Sequence, residues 1–226
     1  MIQPVESLEI TVLVDNDTDS LSTNPGFVET EMAGAWRRGM KWLSGRCLCC
    51  AAHGLSCLIT TRTPSSQHTL LFDTGPDESI FERNVIRLGV DMGGVDAMML
   101  SHGQWDHAGA MPRALQMMTL ANGGRRVPTY MHPDMFASRV SHAGLINVLT
   151  HAAGRFPGIP LFGVLGGFHL AGPTEAIIPE TVDALEAFDL QLIAAAHCTG
   201  WRALGQLAQR FGDRVVASAV GKRFVL

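Results

Sequence analysis

Charge is scarce in this 226-residue chain, and extended apolar runs are missing altogether. Only 17% of residues are charged, and Lys+Arg 17 against Asp+Glu 21 leaves a formal net charge of -4. A protein that grips a polyanion carries a basic excess, so no nucleic-acid partner is expected. The longest apolar stretches, such as Ala97 to Leu100 and Leu192 to Ala196, fall far short of the roughly 20 residues that a membrane-spanning helix needs. Met1 to Glu9 lacks the basic-then-apolar order of a signal peptide, so a soluble cytoplasmic protein without a membrane partner is expected. Gly-x-Ser-x-Gly, the Walker loop and His-Glu-x-x-His are absent too, which leaves serine-nucleophile, P-loop and zincin chemistry without a motif. Internal repeats and flexible linkers are likewise missing. With 46% hydrophobic residues, the chain can bury a large core in one domain spanning 1–226.

What is present in excess is histidine: nine, against a single Tyr. Cysteine is unusual in its placement. Four of five Cys (Cys47, Cys49, Cys50, Cys57) crowd into eleven residues, unlike the spaced pairs of a disulfide framework. Cys47 and Cys50 form a Cys-x-x-Cys with His53 nearby, but no second ligand pair at knuckle spacing follows. Small buried hydrophobes beside a strand are the simpler reading.

Leu8, Ile10, Val12 and Val14 alternate with polar residues, the period of a half-buried strand. The loop after it, Asp15 to Asp19, has Ser20 and Gly26 where a calcium loop needs Gly and Glu, so calcium is rejected. Leu58 to Thr61 and Thr69 to Phe72 flank Thr-Pro-Ser-Ser and read as a hairpin ending in Asp73-Thr74-Gly75. From Glu78 the texture alternates. Helices are expected at Ile80 to Leu88, Met111 to Ala121, Leu145 to Ala152, Thr181 to Phe188 and Trp201 to Phe211. Strands are expected at Ala97 to Leu100, Pro128 to Met131, Leu161 to Leu165, Leu190 to Ala195, Val215 to Ala217 and Arg223 to Leu226. Thr199 is the expected N-cap of the last helix. Two β-plus-helix layers packed face to face satisfy this layout, an α/β (α+β) class.

Histidines fall where these runs end, the position at which α/β proteins place ligands. The densest group is Ser101-His102-Gly103-Gln104-Trp105-Asp106-His107-Ala108-Gly109. Two imidazoles, a carboxylate and an amide in six residues form a nitrogen and oxygen donor set that suits zinc. His142 opens Ser-His-Ala-Gly, His169 ends Gly166-Gly167-Phe168-His169, and His197 follows a strand.

These residues carry a resemblance. Asp73-Thr74-Gly75, the His102 to His107 cluster, His142 and His197 occur in the order and rough spacing of the metallo-β-lactamase-fold superfamily, whose signature is His-x-His-x-Asp-His. Ser-His-Ala-Gly, Gly166 to Leu170, His197 to Gly200 and Val12 to Asn16 resemble one subgroup of it, named after an archaeal dihydropterin ribofuranosyl-aminobenzene phosphate synthase. The resemblance implies a four-layer αβ/βα sandwich and a one- or two-metal centre, most often zinc, serving a metal-dependent hydrolase or a related transferase. It implies His102 and His142 as ligands of a first metal and Asp106, His107 and His197 as ligands of a second. His169 stands where many members have a bridging Asp. Asp73 resembles the early Asp that orients the metal loop. In such a centre a divalent ion lowers the pKa of its water toward about 7 and polarises the carbonyl or phosphoryl group under attack, with Asp106 as the catalytic carboxylate.

Two departures bear on this. Gln104 replaces the middle His of the signature, and a neutral amide oxygen is the weaker ligand for zinc. The first site is therefore expected to be weakened, with Gln104 either a ligand or a pocket residue that hydrogen-bonds substrate. Only Ala137 to Val140 stand between Met131–Phe136 and Ser-His-Ala-Gly, where the subgroup carries a long insertion. Either the pocket rim is naturally short there or a loop is absent from this sequence. Trp105 is expected to pack the metal loop in the core or else to form one wall of the pocket, and Cys198 to be buried and inert or else a thiol close to the metal, the first reading being the favoured one for both. Arg125, Arg126, Lys222 and Arg223 are expected to be solvated. The leading expectation is hydrolysis of a small ester- or phosphate-type substrate. The alternatives are a degenerate member that binds a metal or small molecule without turnover, and a structural protein whose His are incidental.

Overall fold

The computed structural model describes residues 3–136 and 143–226, so His142 lies outside the described residues. The chain packs as two compact units, Met1–Val140 with Ala219–Leu226, and Ser141–Ser218.

The first unit contains β1 (Ser7–Val14), β2 (Val28–Glu29), α1 (Glu31–Arg37), β3 (Ser56–Arg62), β4 (Gln67–Phe72), α2 (Glu78–Leu88), β5 (Ala97–Met99), α3 (Trp105–Ala108), α4 (Met111–Ala121), β6 (Thr129–Tyr130) and the C-terminal β10 (Arg223–Val225). Its seven-stranded sheet runs β2-β10-β1-β3-β4-β5-β6. β1 pairs antiparallel with β3 (Ile10↔Ile59), and β3 with β4 through the expected hairpin (Ile59↔Leu70). β4, β5 and β6 are parallel, which requires crossovers, and α2 and α4 lie in them. The helices bury Phe81, Val85, Ala114 and Met118 among Leu13, Leu71 and Met98 of the sheet. On α4, Ala114 and Met118 are buried, while Met111 and Leu115 only edge the core.

α2 is held at both ends. Asp77 Oδ1 accepts from the N–H groups of Ser79 (2.9 Å) and Ile80 (3.0 Å), satisfying two of the donors that a helix start leaves open. Gly89 ends the helix in the left-handed region. In its middle, buried Asn84 donates Nδ2 to the carbonyls of Leu13 (2.8 Å) and Cys50 (2.9 Å) and accepts from Cys50 N–H (2.8 Å). One amide thereby fixes the cysteine-bearing segment against the sheet.

Lys222 departs from the expected solvated surface: it is 1% exposed, with Nζ 2.7 Å from Asp19 Oδ2. That ion pair ties the loop after β1 to the segment leading into β10. Gly221 N–H donates to Val12 O (2.8 Å) and Val220 N–H to Asp17 O (2.9 Å) beside it. Arg223 is also engaged, bonded to Glu29 and Glu9 at 2.7 and 2.8 Å.

The second unit holds α5 (Leu145–Arg155), β7 (Gly163–Gly166), α6 (Ile178–Leu185), β8 (Leu192–Ala195), α7 (Trp201–Phe211) and β9 (Val215–Ala217). β7, β8 and β9 form a parallel three-stranded sheet. Leu149, Val182, Leu185, Ile193, Leu207 and Phe211 share its core. β7 begins later than expected, at Gly163. The residue capping α7 is Gly200, with no side-chain bond, because Thr199 Oγ1 instead accepts from Phe168 N–H (3.1 Å). That bond draws the Gly166–His169 loop toward the end of β8. Among the described residues no helix is long and apolar enough to cross a membrane.

Candidate metal centre

The parallel edge of the first sheet ends in two loops, Asp73-Thr74-Gly75 after β4 and Ser101–Gln104 after β5. Asp73 sits at φ 55, a left-handed conformation that Asp tolerates better than most residues. Its backbone N–H donates to Met99 O (2.9 Å), and Ser56 Oγ donates to its carbonyl (2.8 Å). Thr74 then clamps the short helix α3, with its N–H and Oγ1 both donating to His107 O (2.7 and 3.0 Å). Gly75 pairs with Ala108 in an isolated parallel bridge. At Gly109 a Cβ would stand 2.2 Å from Pro76 O, so the turn after α3 closes only with glycine.

Asp73, fully buried, organises the histidines. Oδ1 accepts from Ser101 N–H at 2.7 Å. Oδ2 lies 2.7 Å from both Ser101 Oγ and His107 Nδ1. A carboxylate is acceptor-only, so His107 carries its proton on Nδ1 and turns Nε2 outward. Carboxylate partners behind ligating imidazoles do this in metal sites generally. Ser101 Oγ also lies 2.9 Å from His102 Nδ1, extending the same network to the second imidazole.

On the outward side, ligand atoms of His102, Asp106 and His107 all lie within 4.8 Å of one another. Asp106 and His107 are buried and His102 half-buried. Asp106 Oδ2 is 3.6 Å from His107 Nε2, and the two imidazole rings are 4.0 Å apart, inclined at 51°. Gln104 joins the group through its side-chain amide, 2.9 Å from His102 Nε2. Four of the seven expected ligands thus share one end of one sheet. A buried carboxylate and two imidazoles, with a second carboxylate behind them, fit a borderline divalent cation such as zinc.

His169 and His197 belong to the second unit, where they follow β7 and the neighbouring β8. His197 is 2% exposed. Gly167 lies against it: a Cβ there would be 2.4 Å from its carbonyl oxygen and 3.1 Å from its ring. His169 is exposed at φ 55, its carbonyl accepting from Thr174 Oγ1 (2.6 Å).

Sequence reasoning overlooked His53, assigning it at most to the cysteine cluster. Its Nε2 lies 3.8 Å from Asp106 Oδ2, and its ring is 6.0 Å from that of Trp105. The approach is built in: Leu55 N–H donates to Asp106 O (3.2 Å), and a Cβ on Gly54 would stand 2.2 Å from that same oxygen. The one available signal was a His-Gly pair directly before a strand. Trp105 is not in the core as expected; it is 65% exposed, because α3 turns Asp106 and His107 inward and Trp105 outward. Among the described residues, Cys47 and Cys50 join no metal-holding group. Cys49 and Cys57 are the small buried residues expected: burial, then Glu31 beside Cys49 and Asp15 and Asp73 near Cys57, push both thiols far above their ordinary value. Cys198 is half-buried at φ 62.

A solved structure described as a metal-dependent hydrolase of the β-lactamase superfamily superposes with a TM-score of 0.60 at 20% identity, over 96% of this chain and 98% of that one. The chain has the metallo-β-lactamase fold. A second structure of that fold, a diphosphatase from the PhnP family, matches with a TM-score of 0.56 at 15% identity over 99% and 98% of the two chains. Among sequences, an uncharacterized protein of Methanocaldococcus jannaschii is 34% identical over 106 residues, 44% of this chain and 39% of that protein. The 7,8-dihydropterin-6-methyl-4-(beta-D-ribofuranosyl)-aminobenzene-5'-phosphate synthase of the same archaeon is 28% identical over 89 residues, 39% of this chain and 30% of the synthase. The matches therefore span well under half the length of these two relatives. No family model matches the chain. The subgroup resemblance read from the motifs agrees with the synthase match.

Proposed function

We propose that this metallo-β-lactamase-fold protein is a metal-dependent hydrolase, or a related transferase, acting on a small ester- or phosphate-type substrate. The observation that carries the reading is the convergence of His102, Asp106 and His107 within 4.8 Å, backed by the Asp73 carboxylate. The resemblance assigns Asp106, His107 and His197 to one ion, most often zinc for this donor set, and His102 and His142 to another, with His169 at the bridging position. A bound divalent cation supplies Lewis acidity and a more acidic water.

The chain's own residues do the rest. Asp73 keeps the proton of His107 on Nδ1. Asp106, held at the start of α3 by the Thr74 clamp, would offer the carboxylate oxygen that does not hold the ion to orient a reacting water and to accept its proton. Trp105, whose ring lies 6.0 Å from that of His53, would provide an exposed apolar face for the organic part of a substrate. The synthase relative carries an aminobenzene phosphate in its name, which supports a phosphate-bearing small molecule.

The test is metal quantification with a hydrolysis screen of phosphodiesters, lactones, thioesters and β-lactams, on wild type and Asp106→Asn. Chelator-sensitive turnover of one class that falls at least about 100-fold in the variant is expected. Turnover indifferent to both chelator and variant would refute the reading. Gln104, which occupies His102 Nε2, favours one second reading, a member that binds metal without turnover. Metal bound by wild type with no hydrolysis in any class would decide for it.

A further inference from the structure

We infer that Gln104 is a cap on His102 and not a metal ligand, so the centre takes one cation on its Asp106–His107 side and resists a second at His102. The inference rests on the metal-dependent reading above and deepens it.

Donor spacing carries the distinction. Two donors held about 2.1 Å from one tetrahedral ion stand roughly 3.4 Å apart. Asp106 Oδ2 and His107 Nε2 are 3.6 Å apart, a gap that a cation fills with little movement. His102 Nε2 and the Gln104 amide are 2.9 Å apart, which is hydrogen-bond distance. That pair encloses a proton.

Either orientation of the amide leads to the same result. With the carbonyl end toward the ring, Nε2 bears a proton and donates it to Oε1. With the amino end toward the ring, the Nε2 lone pair accepts from the amide N–H. A cation at His102 needs that same in-plane lone pair, since Nδ1 faces Ser101 Oγ at 2.9 Å. The amide must be displaced first. Gln104 is also the N-cap residue of α3, yet its side chain makes no capping bond; it extends to His102 instead.

A cap and a ligand respond to truncation with opposite signs. Metal-stripped wild type, Gln104→Ala and Gln104→His would be titrated with Zn2+ alone against a chromophoric chelator. Wild type is expected to bind one tight equivalent. In Gln104→Ala that equivalent should stay within about twofold, and the weak second one should tighten about fivefold, the weight of one displaced hydrogen bond. Gln104→His should bind two equivalents. Gln104→Asn, too short to reach Nε2, should behave as the Ala variant, and far-UV circular dichroism would verify that each variant is folded. Loosening by about tenfold or more in Gln104→Ala would make Gln104 a ligand and overturn the inference. Two tight equivalents in wild type would overturn it as well. Zinc bound by no variant, Gln104→His included, would instead refute the metal-dependent reading beneath it.

Discussion

Replacing Asp73 by Asn changes one atom in kind and almost nothing in volume, and the surroundings make that change expensive. Both residue types tolerate the left-handed backbone at φ 55, so the substitution isolates the acceptor role, which Asp73→Ala would confound with strain. The carboxylate meets three contacts: Ser101 N–H at Oδ1, and Ser101 Oγ and His107 Nδ1 at Oδ2. An amide has one acceptor atom. With its oxygen at the Oδ2 position, the NH2 group faces the Ser101 backbone N–H, donor against donor. With its oxygen at the Oδ1 position, NH2 faces His107 Nδ1, and the imidazole must move its proton to Nε2. The second arrangement removes the lone pair offered to a metal. Loss of a carboxylate behind a ligating imidazole costs 10–100-fold in metal affinity, about 1.4–2.7 kcal/mol. The assay is chelator-competition titration with Zn2+ on wild type and Asp73→Asn, with circular dichroism to establish folding. A folded variant with wild-type affinity would refute the role assigned to Asp73.

Other outcomes follow from the same contacts. Asp19→Ala takes a carboxylate from the 1%-exposed Lys222 and should cost about 2–4 kcal/mol in urea unfolding. Lys222→Met should cost less, because Asp19 can turn to water; the reverse order would refute the burial argument. Burial alone would raise the Asp19 carboxyl, but the bonds from Lys222 and Ser22 outweigh it and hold the group at about 2, against 3.8 ordinarily. Because the folded value is the lower one, this stabilisation is complete above about pH 4 and is lost as pH falls through about 2, by about 1–2 kcal/mol after allowance for solvent screening. Acid titration of unfolding in wild type and Asp19→Asn measures it; equal acid sensitivity would contradict the assignment. Gly54→Ala introduces a Cβ 2.2 Å from Asp106 O at φ +155, which should lower Zn2+ affinity about tenfold by displacing Asp106; unchanged affinity would free that loop from the centre. Under native alkylation at pH 8, Cys47 and Cys50 should react at least about tenfold faster than Cys49 and Cys57, whose thiolates burial suppresses. Mass spectrometry reads the difference, and equal labelling would contradict it.

Elements with a local signature were legible in the sequence. Alternation marked β1, and the Thr-Pro-Ser-Ser turn marked the β3–β4 hairpin. The cluster from His102 to His107 was legible for the same reason, since its ligands are adjacent in sequence. Contacts that exist only through space were not. Nothing in one dimension brings His53 to Asp106, because the approach depends on Gly54 lying flat against a carbonyl 52 residues away. Lys222 was assigned to the surface by residue type, whereas its partner is 203 residues distant. Thr199 looked like an N-cap by its place before α7, but a tertiary bond to Phe168 N–H claimed its hydroxyl. Trp105 followed the habit of aromatic residues in cores, against the single turn of α3 that leaves room inside for only its two neighbours.

The Asp73 network also has a thermodynamic consequence for the fold itself. Its members come from the ends of β4 and β5, so the imidazoles acquire their orientation only when those two strands are in register. An ion that prefers the oriented pair binds the native state over the unfolded chain, and at 100 times its dissociation constant it adds about 2.7 kcal/mol of stability. Cation and sheet are then linked as ligand and receptor: zinc would raise the melting temperature of the first unit, and chelation would lower it, whether or not any substrate is ever turned over.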